Sequence, residues 1–415
     1  MRILWILLLP FFMFANSYGL KTFINHADKN NALIQAKELQ IQAKAKGIEA
    51  VQSAYWPTLD VGASYAKVTP NALVSPGETA TLLASLSVDL YDGGRKSALV
   101  NAKSFEHEAS IFEKRAFQKS ITLKIVRHYY MIQVHQATYN ALLKRSKELK
   151  AQINRVKQFQ NTGLATQEDV DRLQAAYENN AYTLANTELS IETSQENLKL
   201  ISGLSAKKLK LNLFKTPKHI KFEFFDAIKV MQSNAKAIGE NSKAIDAGYM
   251  PQVKLSDTYH TSDFDDLASV PNFSSDGLLI DHQNTLSISV NMRLFDNKKM
   301  AKESEVVQYQ KMVLLSEIEQ AKREQKMHFR LAKKSLETSL AKIHSTKSGL
   351  KAANSTYDVV KKKYEAGLVD NINFLDALTQ KTLAIARDKE TMYHYEISKS
   401  IYYYYAGKDP KEFIK

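Results

Sequence analysis

Residues 159–170 read Phe-Gln-Asn-Thr-Gly-Leu-Ala-Thr-Gln-Glu-Asp-Val, and residues 364–374 read Tyr-Glu-Ala-Gly-Leu-Val-Asp-Asn-Ile-Asn-Phe. In each stretch a long charged segment with helical periodicity runs up to a Gly-Leu pair, and a second periodic segment follows it. Glycine readily adopts the positive φ with which a helix ends and a tight turn begins. Both stretches therefore predict the turn of a helical hairpin.

The two Gly-Leu pairs belong to an internal repeat. Three pairs of landmarks share a spacing of 204 positions: Gly163 and Gly367, Gly203 and Gly407, and Leu90-Tyr91-Asp92 and Leu294-Phe295-Asp296. Three landmarks in one register are not expected by chance, and a repeat of this kind bears on the fold before any single element does. The chain is predicted to contain two copies of one unit, residues 18–214 and residues 215–415.

The composition argues against several classes of site. The 415-residue chain has no cysteine, which excludes disulfides, thiolate metal ligands and lipid attachment through an N-terminal cysteine. Its formal charge is +13, but the lysines and arginines are spread along helical patterns, so nucleic acid is not a favoured partner. The histidines lack metal-site spacing, and no nucleophile elbow or phosphate loop is present. We expect no catalytic, metal or cofactor-binding residues, no cofactor and no enzyme activity.

The first 17 residues have the pattern of a signal peptide. Arg2 precedes an apolar run from Ile3 to Ala15, and Ala15-Asn16-Ser17 is an acceptable cleavage site. No later segment contains 18 uncharged apolar residues in a row, the minimum expected of a membrane-spanning helix. The protein is therefore predicted to be exported, with a mature chain that starts near Tyr18 and has no transmembrane helix.

The first copy changes from helical to strand periodicity and back. A helix from His26 to Ala54 is predicted to end at Tyr55-Trp56-Pro57, because proline disfavours helical geometry in the residue before it. Alternating apolar and polar residues then predict two strands that form a hairpin, and helical periodicity returns after Asp92-Gly93-Gly94. The predicted bounds are strands at about 57–67 and 82–91, a long helix at 95–160 and a return helix at 167–202.

The second copy repeats this order. Tyr249-Met250-Pro251 ends its first helix, and an acidic loop from Asp263 to Asp281 accounts for its ten additional residues. The long helix of each copy has the heptad spacing of a coiled coil and would be roughly 100 Å long. The predicted bounds are a helix at 226–248, strands at about 251–261 and 284–295, a long helix at 297–364 and a return helix at 371–407.

The four predicted strands create a physical problem. Each has one apolar face and about ten residues, and a strand of this length can cross an outer membrane. Four strands cannot close into a barrel, and their edges would expose unpaired backbone groups to lipid. The chain is therefore expected to oligomerise, and three copies would supply 12 strands above 12 helical segments. The predicted fold class is mainly α with a membrane β-barrel, built by a trimer of the internally duplicated unit.

An ordered set of motifs then identifies a family. The motifs are Tyr55-Trp56-Pro57 and Tyr249-Met250-Pro251 before strands one and three, Leu90-Tyr91-Asp92-Gly93-Gly94-Arg95 and Leu294-Phe295-Asp296 after strands two and four, and the two Gly-Leu turns with Asp169-Val170 and Phe374-Leu375-Asp376-Ala377 downstream. Over essentially the whole mature chain the sequence resembles the outer-membrane factor family, the TolC-like channel-tunnel proteins of Gram-negative bacteria.

This resemblance implies both an architecture and a function. It implies a homotrimer with a 12-stranded barrel in outer-membrane lipid and a periplasmic α-helical barrel. It also implies a periplasmic adaptor protein that joins the channel to an inner-membrane pump. The expected function is the channel-tunnel of a tripartite efflux or type I secretion system, located in the outer membrane of a Gram-negative bacterium and extending into the periplasm.

The resemblance also implies roles for residues near the turns. By position, Tyr364 and Asp169 match the pair that links neighbouring hairpins in the closed periplasmic gate, and Asp376 matches one carboxylate of the constriction. The sequence departs from the family at two positions, with Asn373 in place of a second aspartate and Val369 in place of an arginine. The constriction is therefore expected to attract cations less strongly unless Asp370, next to Val369, compensates as a further gate residue. The expected adaptor-docking residues are Gly163, Leu164, Ala165, Thr166, Gly367, Leu368 and Val369.

Two other classes of protein are consistent with part of the sequence. A secreted or periplasmic coiled-coil scaffold without transport activity would explain the heptads, but it leaves the amphipathic strands without a purpose. A basic nucleic-acid-binding rod conflicts with the signal peptide. Detergent dependence distinguishes the channel from both, because a barrel that faces lipid aggregates without detergent.

Overall fold

A computed structural model describes residues 18–217, 220–268, 277 and 279–415 of the chain. The predicted signal peptide, Met1 to Ser17, lies outside the described residues, as do residues 269–276 and 278 of the predicted acidic loop. The helices are α1 Leu20–Asn30, α2 Ala32–Gln52, α3 Arg95–Asn161, α4 Gln167–Ser202, α5 Asp226–Asp246, α6 Lys299–Glu365 and α7 Asn371–Tyr405. The strands are β1 Thr58–Lys67, β2 Glu78–Tyr91, β3 Gln252–Asp265 and β4 His282–Asn291. The result is a mainly helical chain with a small antiparallel sheet, as the sequence predicted.

The first predicted helix is two helices, which meet at Asn31. The backbone of Asn31 is extended, with φ −73° and ψ 118°. Its side-chain oxygen accepts hydrogen bonds from the backbone N–H groups of Leu33 and Ile34, and its amide donates to the carbonyl of Ile201 at 2.8 Å. Asparagine can satisfy backbone groups in this way and thereby interrupt a helix. The prediction of one helix from His26 to Ala54 was therefore wrong at this residue.

The bounds of three strands differ from the prediction because they depend on their partners. Strand β3 was predicted to end at residue 261, but it continues to Asp265, which pairs with Glu78 of β2. Strand β4 was predicted to reach residue 295, but it ends at Asn291, which pairs with Gln252, the first residue of β3. Beyond this pair β3 offers no further backbone partner. Strand β2 begins at Glu78, four residues before the predicted start, because Glu78 pairs with both Lys67 and Asp265.

The four strands form one antiparallel sheet in the order β1-β2-β3-β4. Residues that are directly opposite on neighbouring strands share a face. One face is mainly apolar, although the same register also places polar residues on it, such as Asp257, Thr261, Asp263, His282 and Asn284. Its apolar residues include Leu59, Val61, Ala63 and Tyr65 of β1, Leu82, Ala84, Leu86 and Val88 of β2, Val253, Leu255 and Tyr259 of β3, and Leu286, Ile288 and Val290 of β4. The other face carries hydroxyl pairs across the strands, such as Thr81 with Ser262 at 2.9 Å and Ser256 with Ser287 at 2.8 Å.

The chain forms two compact units, which we describe separately. The sheet-bearing unit consists of Leu39–Phe112 and Ile228–Gln320. Its helical segments follow one another in the order α2, α3, α5 and α6 through side-chain contacts: Lys44 with Glu106 at 2.8 Å, Ser233 with Glu108 at 2.9 Å and Ser242 with Ser304 at 2.9 Å. The two helices of the first predicted copy, α2 and α3, are therefore followed by the two of the second, α5 and α6, and α3 contacts α5. The copy boundary stays a prediction.

The turn-bearing unit consists of the residues up to Glu38, Glu113–Ala227 and Ala321–Lys415. One of its cores surrounds the fully buried rings of Phe23, Tyr129, Tyr130, Phe214 and Tyr403. The connector between the predicted copies crosses this core, because Tyr130 donates to the carbonyl of Asn212 at 2.9 Å and Tyr403 donates to that of Lys215 at 2.8 Å. The tyrosine hydroxyls thus satisfy backbone groups of a segment that has no regular secondary structure.

A buried ion pair holds the same connector. Glu396 accepts from the backbone N–H of Phe214 at 2.7 Å, and Lys399 donates to the carbonyl of Phe214 at 2.8 Å. The two side chains are 2.6 Å apart and almost completely buried. Burial lowers the pKa of Lys399 below its usual value, although Glu396 opposes this shift. Each charge therefore depends on the other for its counter-charge.

Candidate functional site

The two predicted turns share one backbone geometry. Gly163 has φ +77° and Gly367 has φ +74°, so each glycine has the left-handed conformation that commonly follows the last residue of an α-helix. In the first turn Gly163 N–H donates to Gln160 at 3.0 Å and Leu164 N–H donates to Phe159 at 2.8 Å. In the second turn the same two bonds run from Gly367 to Tyr364 at 3.1 Å and from Leu368 to Lys363 at 2.8 Å. Each turn is a Schellman motif, which satisfies the last carbonyl groups of its long helix.

The return helices begin with side-chain caps at equivalent positions. Thr166 caps α4: its hydroxyl accepts from the N–H of Asp169 at 3.2 Å, while the Asp169 carboxylate accepts from the N–H of Thr166 at 3.1 Å. Asp370 caps α7 and accepts from the N–H of Asn373 at 3.0 Å. The backbone N–H of Asn373 is the main cause that lowers the pKa of Asp370. Both predicted gate residues Asp169 and Asp370 thus have local capping roles, which suits a carboxylate at a helix N-terminus.

The turns lie side by side around a cavity of about 340 Å³. The residues that line it are Arg155, Val156, Phe159, Leu164, Ala165, Asp169, Tyr364, Gly367, Val369, Asp370 and Asn371. Most of the predicted gate and docking residues are therefore neighbours within one chain. Leu164 and Leu368 are highly exposed, so each turn presents a large apolar side chain to solvent.

Polar contacts join the two hairpins. The side-chain amide of buried Asn371 donates to the Asp169 carboxylate at 2.9 Å. Arg155 donates to the carbonyl of Glu365 at 2.7 Å, so a cation of α3 satisfies the C-terminal end of α6. The pairing of Asp169 with Tyr364 that the family resemblance implies stays a prediction, and both residues border the cavity. The ring of Tyr364 stacks on Phe374 with a centroid distance of 4.8 Å, and burial is the main cause that raises its pKa.

A second polar group lies further along the same helices. Lys361 of α6 donates to Glu148 of α3 at 2.6 Å, and the Lys361 ammonium lies 5.9 Å from the centroid of the Tyr357 ring. Burial opposes ionisation of Glu148, but the hydrogen bond and charge of Lys361 outweigh it and hold its pKa below the usual value. Burial and the charge of Glu148 raise the pKa of Tyr357. This group joins the long helices of the two hairpins.

The remaining predicted residue, Asp376, stands apart from these contacts. Its side chain is exposed on α7 and accepts a bond from Gln380 at 3.4 Å, one turn further along the helix. The sequence analysis missed Arg155, Asn371, Glu148 and Lys361, because an ordinary polar residue on a helix gives no signal of a partner some 200 positions away. The gate and docking roles stay predictions.

Among the helices of the described part of the chain, none combines the length and the apolar character that a membrane-spanning helix requires.

Comparisons with known proteins agree with the fold and the sequence motifs. Residues 23–204 match the family model described as outer membrane efflux protein. A search of curated proteins found no matching sequence. Three solved structures that share the fold at 15% sequence identity are a membrane protein from Pseudomonas aeruginosa, the outer membrane protein VceC from Vibrio cholerae and the CmeC outer membrane channel from Campylobacter jejuni. Their TM-scores are 0.79, 0.78 and 0.80; the alignments cover 94% of this chain and 93%, 96% and 85% of theirs. The comparisons support the resemblance to outer-membrane factors, and they confirm a mainly helical fold with a small antiparallel sheet; the trimeric barrel and the location in the outer membrane stay predictions.

Proposed function

We propose that this chain, of which residues 23–204 match the outer membrane efflux protein family, assembles as a homotrimer into the exit channel of a tripartite efflux or type I secretion system. One observation carries this proposal. The sheet has an apolar face on all four strands, and its two end strands, β1 and β4, each pair on one side within the chain. Such a sheet is stable in lipid only if another copy completes the pairing of its edges.

Three copies satisfy this requirement. They supply 12 strands, an even number within the range of bacterial outer-membrane barrels. The apolar face would contact lipid, and the face with paired hydroxyls would line a polar bore. Cyclic closure with one repeated interface also leaves no free strand edge.

The helix turns are the proposed periplasmic gate and docking site. Tyr364, Asp169 and Asp370 line one cavity. In the closed channel, Asp169 and Tyr364 would link neighbouring hairpins, and Asp376 would face the constriction, where Asp370 would supply a further carboxylate. Opening would separate contacts that are polar and partly exposed, which cost less to break than a packed apolar core.

The same turns would receive the periplasmic adaptor protein. The exposed Leu164 and Leu368 are apolar groups on rigid, glycine-ended turns, and Ala165, Thr166 and Val369 lie beside them. Exposed apolar side chains with polar neighbours are typical of a protein-protein contact. An adaptor held here would connect the channel to an inner-membrane pump.

The first test is the mass of the protein extracted from outer membranes in detergent, measured by light scattering and corrected for bound detergent. The channel requires about three chains in each particle, as one closed ring. A monomer or dimer that remains soluble without detergent would contradict the proposal and would favour the coiled-coil scaffold.

A further inference from the structure

We propose that α6 of one copy packs against α2 of the next copy in a register set by the internal repeat, with ion pairs Lys46–Glu305 and Glu49–Lys302 beside a contact between Leu39 and Met312. The inference rests on the proposed trimer, but it goes further, since it specifies which residues meet. All of these residues belong to the sheet-bearing unit.

Two offsets relate the copies of the repeat. Pro57, which precedes β1, lies 194 positions before Pro251, which precedes β3. Asp92, which follows β2, lies 204 positions before Asp296, which follows β4. The first offset therefore relates α2 and β1 to α5 and β3, and the second relates β2 and α3 to β4 and α6. The difference of ten is the insertion in the loop between β3 and β4.

The observed strand register confirms that these offsets describe the structure. In the first copy the β1-β2 ladder runs from Thr58 opposite Ser87 to Lys67 opposite Glu78. The offsets convert these end pairs into Gln252 opposite Asn291 and Thr261 opposite His282. These are the two ends of the observed β3-β4 ladder. The two hairpins therefore superpose residue by residue, without a slip.

The contact between α3 and α5 joins the two copies of the repeat within one chain. Asn101 of α3 donates to Glu240 of α5 at 3.4 Å, and Ser233 of α5 donates to Glu108 of α3 at 2.9 Å. Between these contacts, the Lys236 ammonium lies 5.2 Å from the centroid of the Phe105 ring. In a closed ring of identical chains, an equivalent contact is expected between the second copy of the repeat in one chain and the first copy in the next chain.

Adding 204 to a residue number in α3 gives the equivalent residue of α6, and subtracting 194 from a residue number in α5 gives the equivalent residue of α2. Applied to the contacts between α3 and α5, the two offsets give the expected contacts between α6 of one chain and α2 of the next. The contact of Asn101 with Glu240 becomes Glu305 with Lys46, and that of Glu108 with Ser233 becomes Met312 with Leu39. The contact of Phe105 with Lys236 becomes Tyr309 with Gln42. Since α2 and α6 are the two end helices of the order α2-α3-α5-α6, the partner residue is supplied by a second copy.

The chemistry of the converted positions is complementary, although the conversion used no information about it. Lys46 and Glu305 have opposite charges, and in the same register Glu49 faces Lys302. All four are exposed, and within each helix Lys46 pairs with Glu49 three residues away, as Lys302 does with Glu305. Leu39 and Met312 are apolar residues that are 63% and 59% exposed. If the two pairs had instead brought like charges together, their repulsion would have disfavoured this register.

The same conversion places the strands in agreement with the helices. Leu86 opposite Asp257 becomes Val290 of β4 opposite Ala63 of β1, and Ala84 opposite Tyr259 becomes Ile288 opposite Tyr65. All four of these residues belong to the apolar face of the sheet. If the pairing of β4 with β1 of the next chain shifted by one residue, the apolar side chains of one of the two strands would face away from lipid. One register therefore joins both the strands and the helices of neighbouring copies.

Cysteine cross-linking in the full-length protein tests the register, since the natural chain contains no cysteine. The variant with Leu39→Cys and Met312→Cys should form disulfide-linked dimers and trimers in outer membranes, and reductant should remove them. The matched control combines Leu39→Cys with Val306→Cys, which is 55% exposed on the same helix. Val306 is six residues, or about 9 Å, from Met312 along α6, so the control should lose the cross-link.

Charge reversal provides a second measurement. Lys46→Glu should lower the temperature at which the trimer dissociates in detergent, and adding Glu305→Lys should restore it. Cross-linking of the control but not of the proposed pair, or absence of both cross-links in a particle of three chains, would overturn the register and leave the channel intact. A particle that is never trimeric would instead refute the proposed function, and the register with it.

Discussion

The side-chain amide of Asn371 donates to the carboxylate of Asp169 at 2.9 Å, so the first residue of α7 is tied to the capping box of α4. Asn371 is buried, whereas Asp169 is half-buried at the edge of the cavity between the turns. The two helical hairpins are therefore connected at their ends by a hydrogen bond between side chains. This contact makes the position of one turn depend on the other.

Asn371→Ala is expected to loosen this connection and to lower the free energy of unfolding by about 1–3 kcal/mol, because the Asp169 oxygen loses a buried donor. The measurement is urea unfolding in detergent. The control is Asn373→Ala, which removes an exposed amide that bonds only to the cap residue Asp370. An equal loss of stability in both variants would contradict a special role for the link between the hairpins.

Tyr364→Phe and Asp169→Asn are expected to raise the conductance of the purified channel in planar bilayers, if these residues hold the periplasmic end closed. Tyr364→Phe retains the ring that stacks on Phe374, so it separates the hydroxyl from the packing of the ring. Tyr395→Phe removes a hydroxyl from α7 in another part of the helix and serves as the control. Unchanged conductance in both gate variants would exclude their role in closure.

Much of this site could be predicted from the sequence where a single residue dictates the local geometry. Gly163 and Gly367 marked both turns because their position at the end of a helical pattern requires a positive φ. The contact of Asn371 with Asp169 gave no signal, since it joins residues that are distant in the sequence and depends on how two hairpins pack. Likewise, the end of β4 at Asn291 is set by the start of β3, and the break at Asn31 is set by the side-chain bonds of that residue.

The ion pair of Glu148 with Lys361 is expected to make stability depend on pH. The pKa of Glu148 is lowered in the folded protein, so the pair stabilises the protein fully above the unfolded-state pKa. This stability is lost as the pH falls through the folded-state pKa. Glu148→Gln should therefore destabilise the protein by about 2 kcal/mol near neutral pH and flatten its acid dependence. Unfolding at several pH values measures both effects.

The control for this experiment is Glu168→Gln, which removes an exposed carboxylate that pairs with Arg172 one turn away on α4. It should leave the acid dependence unchanged, because an exposed pair of this kind contributes little to stability. If Glu168→Gln and Glu148→Gln flattened the pH profile equally, the acid sensitivity would not come from the contact between the long helices.

The glycines of the turns allow a test of backbone strain alone. No atom lies within 4 Å of a Cβ built on Gly163 or Gly367, so alanine at either position would meet only the cost of a left-handed φ. Each substitution should destabilise the protein by about 1–2 kcal/mol. Gly349 in α6 has equally open space but helical geometry, so Gly349→Ala should instead stabilise the protein by about 1 kcal/mol. A gain in stability from Gly163→Ala would show that the left-handed turn is not required.

The pair of Glu396 and Lys399 is expected to matter far more for stability than its spacing suggests. Glu196 and Lys199 have the same spacing on α4 but are exposed, so they form a matched control. Glu396→Gln would leave Lys399 buried without a counter-charge, and it should lower the free energy of unfolding by about 3–5 kcal/mol. Glu196→Gln should change it by less than about 1 kcal/mol. A loss from Glu396→Gln as small as that of the control would mean that the connector at Phe214 is held by the surrounding aromatic core and not by the ion pair.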